Sequence, residues 1–150
     1  MLLRTLLLVI HVTAAAVSFG APLGVARLLR QSAHTSLPSF AVAASDVARR
    51  VLLARICGVT SLFSGVALVF LNGGFGAVSK NYHLALALMW VLLGVQFFVT
   101  SPAVKKVGKL ALRNSVDSVA VLACASRIAL GLGVGHALWT AILVLMFERF

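Results

Sequence analysis

The residues able to do chemistry in this 150-residue sequence are few: four histidines, two cysteines and three carboxylates. His11, His83 and His136 fall inside long apolar runs, whereas His34 lies in a polar stretch between two of them. Neutral imidazole is a common donor to haem iron, copper and zinc. It also joins helices by hydrogen-bonding a carbonyl or a hydroxyl. A polar residue inside an apolar run is a functional candidate by default, but these three do not stand at motif spacing, so both roles are open to them. His11 and His83 make the better pair, because they hold equivalent positions in the two halves of the chain and both lie toward the same end of their runs. His136 sits near the middle of its run, too deep to complete a compact site with them. If a cofactor is held, His11 and His83 are its candidate ligands, and haem b or copper is the cofactor their chemistry suits. No residue is assigned a catalytic role.

Other chemistries find no support. Asp46 and Asp117 lie between apolar runs and Glu148 at the chain end, which argues against a pump built on an intramembrane carboxylate. Cys57 and Cys124 are far apart and read as inert packing residues. Gly131, Gly133 and Gly135 imitate a nucleotide-binding run, but inside an apolar helix with no strand before it.

These residues need elements to position them, and composition says which. The chain is 61% hydrophobic and 11% charged, against roughly 45–50% and about 25% for a soluble domain. Hydropathy predicts a single transmembrane domain over residues 1–150, with spans near 5–29, 55–71, 82–101 and 128–147, each close to the ~20 residues that cross a bilayer. The fold class is all-α, an integral membrane four-helix bundle. Pro102 is expected to close the third span, and Pro22 to kink the first. Ser45 or Asp46 is a candidate cap for a helix leading into the second span, and Asp117 for one leading into the fourth.

Charge sets the orientation. The net charge of +10 would suggest nucleic acid on a soluble body, yet the basic residues lie between the apolar runs, so no nucleic-acid partner is expected. Ten of the thirteen fall in two groups: Arg27, Arg30, Arg49, Arg50 and Arg55, then Lys105, Lys106, Lys109, Arg113 and Arg127. Only Arg4, Lys80 and Arg149 fall on the other side. The positive-inside rule places loops 30–54 and 102–127 in the cytoplasm of a bacterial inner membrane and both termini in the periplasm. The partner those groups imply is a bilayer with anionic headgroups. The first twenty-one residues also have the outline of a cleavable signal, but the apolar run continues past any cleavage point.

The halves share a plan, two hairpins of equal orientation. An offset of 72 pairs His11 with His83 and Arg55-Ile56 with Arg127-Ile128, although total identity at that offset is no better than chance. The plan predicts a pseudo-two-fold axis along the membrane normal. Small residues mark the packing faces: Ser18 on the first span, Gly58, Ser61 and Gly65 on the second, Gly131 and Gly135 on the fourth.

The stretches LLLVIHVTAAAVSFGAPLGVARLL, SGVALVFLNGGFG, YHLALALMWVLLG and SPAVKKVGK give the chain, over most of its length, a likeness to the bacterial four-helix membrane family DUF2269. That family is similar in shape to the CopD and HemJ membrane families. The resemblance implies a fold and a membrane location. The HemJ relatives are haem-associated and the CopD relatives are linked to copper, and of their features a first-span histidine, here His11, carries over. The expected function is a structural or accessory inner-membrane protein, within a homo-oligomer or a larger membrane complex. The alternatives are a haem b or copper redox protein using His11 and His83, or a small dimeric transporter.

Overall fold

A long apolar run leaves the backbone one solution in hydrocarbon, because every N–H and C=O must find its partner nearby. The computed structural model describes residues 1–113 and 115–147, and these hold helices and turns with no strand among them. The helices are α1 (Leu2–Gly20), α2 (Val25–Ser32), α3 (Leu37–Leu71), α4 (Lys80–Val95), α5 (Ser101–Ala111) and α6 (Ser118–Phe147). A π-helical turn, Gln96–Thr100, joins α4 to α5 without a break. Four helical segments are long and apolar enough to cross a membrane: Leu2–Ser32, Leu37–Leu71, Lys80–Ala111 and Ser118–Phe147. Short connections make successive segments antiparallel. Met1 and Phe147 therefore lie at one end and the ten clustered cations toward the other. Arg149 lies outside the described residues.

The helices outrun the hydropathy. The 35 residues of α3 extend about 52 Å, well beyond a ~30 Å hydrocarbon layer. The excess falls at the basic end. There Val25, Leu29, Phe40, Val47, Val107, Val121 and Ile128, drawn from α2, α3, α5 and α6, are buried together. Much of 30–54 and 102–127 is thus helix that prolongs the spans. Ser36 stands at the N-cap of α3 with Pro38 in the first turn, a position where a missing N–H costs nothing. Ser45 and Asp46 do not cap; they lie inside α3, where Asp46 Oδ2 accepts from Arg50 Nε at 2.8 Å. Asp117 does cap α6, its Oδ1 accepting the Ala120 N–H at 3.0 Å.

The two intramembrane prolines act differently. Pro22 ends α1 outright. The chain turns through 21–24, with Gly24 at φ 78°, and the Leu23 N–H bonds Gly20 O instead of Phe19 O. Pro102 does not end its helix, contrary to the sequence expectation. The π-helical turn before it sends the Ser101 N–H to Gln96 O, and the helix runs on to Ala111. A widened turn is a common way to pass a proline.

Small residues seat the helices. A Cβ on Gly58 would lie 3.2 Å from Ser18 Oγ, one on Gly65 2.9 Å from His11 Cε1, and one on Gly131 2.5 Å from Thr100 Oγ1. At Gly135 it would meet Leu92 at 3.4 Å, and Ser61 is buried. Phe63, Trp90, Phe98 and Leu130 point outward and are exposed, the surface expected against hydrocarbon. α1 packs along α3, and α4 along α6, forming two hairpins. The hairpins close against each other at the basic end, where α2 meets α6 and α5 meets α3, while contact between α3 and α4 is sparse. Toward the termini they leave a cavity.

Candidate functional site

The cavity measures about 710 Å³ and is walled by α1, α3, α4 and α6, with Phe75, Ala77 and Val78 of the α3–α4 turn at its rim. Its lining is apolar apart from Arg4, His11, Ser61, Asn72, Tyr82 and Trp139. That volume falls inside the roughly 300–1,000 Å³ range of small-molecule sites.

His11 is the polar centre of the α1 wall. Its Nδ1 lies 2.9 Å from Ser61 O and 3.2 Å from Ser64 Oγ. A carbonyl only accepts, so Nδ1 carries the hydrogen and donates to Ser61 O. Ser64 Oγ gives its own hydrogen to Thr60 O at 2.7 Å, which leaves a lone pair toward the same N–H. Gly65 provides the seat, since any side chain there would meet the ring edge. The tautomer is therefore fixed, and Nε2 keeps its lone pair with no partner among the described residues. An imidazole held through Nδ1–H by a carbonyl, with Nε2 free, is how proteins prepare a ligating histidine.

Two further groups converge on the cavity. Arg4 is exposed at its mouth, without a carboxylate partner among the described residues. It precedes His11 by seven residues, about 10 Å along a helix. Trp139 is buried, and its indole N–H has no partner among the described residues. Arg4 was legible as one of the few cations away from the basic end, at a spacing that shares a face with His11. Nothing in the spacing of Met89 and Met146 pointed to their thioethers, which also line the wall.

The other histidines are placed elsewhere. His83 is exposed, with Nε2 3.2 Å from Phe75 O and its ring against Phe75. It steadies the α3–α4 turn and does not line the cavity, so the structure does not bring His11 and His83 to one site. His136 has Nδ1 2.7 Å from Leu132 O and Nε2 3.1 Å from Phe19 O, the carbonyl left open by the turn before Pro22. Both its nitrogens face backbone oxygens, and its ring meets Phe19 edge-on at 4.7 Å. It is a helix tie. His34 is exposed.

The residues of the cavity fit haem with a single protein donor. A porphyrin brings four nitrogen donors of its own, so His11 alone would hold its iron, and Arg4 at the mouth would meet its acidic edge. Copper would need several protein donors, and beside His11 the wall offers only the thioethers of Met89 and Met146; among the described residues no three of His, Cys, Asp and Glu come together.

No family model matches the chain, and neither does any curated protein or solved structure. The likeness to DUF2269 thus stands on the residues quoted for it.

Proposed function

We propose that this chain is an integral protein of a bacterial inner membrane that holds haem b in the half of the bundle nearest its termini, with His11 as the residue that would hold its iron. The observation that carries the reading is the fixed His11 tautomer, Nδ1 on Ser61 O and Nε2 free, on an apolar cavity of about 710 Å³. Bound haem would supply redox or ligand-binding chemistry. The protein's part is to orient one nitrogen, exclude water with apolar walls and meet the acidic edge at Arg4. The role we assign is accessory, as a haem-carrying subunit of a homo-oligomer or a larger membrane complex. The basic end faces the cytoplasm, supported by the positive-inside rule. The matching hairpins support a pseudo-two-fold relation between the halves, and the kinship with DUF2269 fits the same architecture.

The test is the colour of the protein purified in mild detergent from haem-replete cells. A Soret band, with a pyridine haemochrome spectrum of the b type, is expected. Colourless protein that also fails to take up added haem would overturn the reading.

A further inference from the structure

Arg55 is the cation of α3 that lies deepest from the basic end, and it is part-buried. Its Nη1 donates to Ser101 Oγ at 3.1 Å, and its charge centre lies 5.1 Å from the centroid of the Phe97 ring. Ser101 Oγ gives its own hydrogen to Gln96 O at 2.9 Å, the carbonyl that also serves the π-helical turn. The hydroxyl therefore meets Arg55 with a lone pair. The guanidinium is held from two sides, and its other N–H groups have no partner among the described residues.

Among the described residues no anion is kept for it. Of the carboxylates among the described residues, Asp46 is bound to Arg50 and Asp117 caps α6. Phe97, whose ring the guanidinium meets, is exposed, as are its neighbour Phe98 and, next to Arg55 on α3, Ile56, so this part-buried group lies at the outer surface of the bundle near the hydrocarbon boundary. One turn nearer the basic end, exposed Lys105 shares a face of α5 with Ser101. A cation at this depth without a counter-ion is costly. In a bilayer the anion that reaches it is a headgroup phosphate.

We propose that Arg55, with Lys105 as the second cation, binds the phosphate of an anionic phospholipid of the phosphatidylglycerol type. Planar N–H groups suit two phosphate oxygens at once, and the acyl chains would lie over Phe97, Phe98 and Ile56. The site is at the opposite end from the haem cavity and rests only on the membrane reading, so haem binding can fail while this site stands.

The test is native mass spectrometry of the whole protein released from micelles holding phosphatidylglycerol and phosphatidylcholine in equal amounts. Wild type is expected to retain a phosphatidylglycerol in preference. At about 0.5 M salt, where screening removes diffuse attraction, Arg49→Gln should keep that preference. Arg55→Gln should lose about tenfold, the ratio one charged hydrogen bond carries. Should Arg55→Gln fail to accumulate, Arg55→Lys serves instead, with the preference kept at low salt and lost at high salt. Equal retention by wild type and the Arg55 variant, no preference between the lipids, or displacement of the lipid by excess inorganic phosphate would overturn the proposal.

Discussion

The seat beneath His11 can be tested by adding a single methyl group. A Cβ on Gly65 would lie 2.9 Å from His11 Cε1 and 3.3 Å from Nδ1, and the three nearest atoms all belong to that ring. Gly65→Ala must therefore push the imidazole off Ser61 O or part α1 from α3. Overpacking of this kind costs about 1–3 kcal/mol. At about 2–4 °C per kcal/mol for a chain of this size, melting of the haem-free protein in detergent should fall by roughly 2–12 °C. With His11→Ala already in place the clash is gone. What remains of Gly65→Ala is the helix preference for alanine, a gain of about 0.5–1 kcal/mol. The double-mutant cycle should accordingly show a change of sign, with a coupling of at least about 1 kcal/mol. Equal effects in the two backgrounds would refute the contact, and with it the fixed tautomer.

Other consequences can be checked alongside. Gly94→Ala and Gly133→Ala, where a Cβ meets nothing within 4 Å, should leave melting unchanged or raise it slightly. Gly131→Ala, against Thr100 Oγ1, should cost about 1–3 kcal/mol of stability. Asp117→Ala should cost about 0.5–2 kcal/mol through loss of the α6 cap. Asp46→Ala, which breaks only an exposed pair, should cost well under about 1 kcal/mol by the same melting assay. A periplasm-active reporter fused after Phe150 should give signal and a cytoplasm-active one should not; the reverse would invert the orientation.

Much of the fold was legible because hydropathy and helix period report different things. Hydropathy located four spans, but it stopped at Arg55 and Ile128, where charge begins to alternate with apolar residues. The period continued: Phe40, Ala44, Val47, Val51 and Ala54 bury one face of α3 well before its apolar run. Reading the period would have extended the helix. Pro102 misled because a proline past a helix end and a proline after a π-helical turn look alike in sequence, and only the carbonyl geometry at Gln96 separates them. The small-residue stripes were legible as packing. That one of them, at Gly65, serves as a seat for His11 was not, since the facing residue on α1 depends on helix register. His83 shared His11's place in the repeat, but the turn after Asn72 takes its ring to Phe75. Position in a repeat fixes depth along a helix and leaves rotation about its axis open.

The most direct test of the haem assignment is a haem titration of the purified apoprotein, comparing wild type with His11→Gly, with and without free imidazole, and with His83→Ala. Wild type and His83→Ala are expected to develop a Soret band that saturates at one haem per chain. His11→Gly should bind no ordered haem until imidazole replaces the missing nitrogen donor. A Soret band in His11→Gly equal to that of wild type without imidazole, or one lost in His83→Ala, would contradict His11 as the ligand.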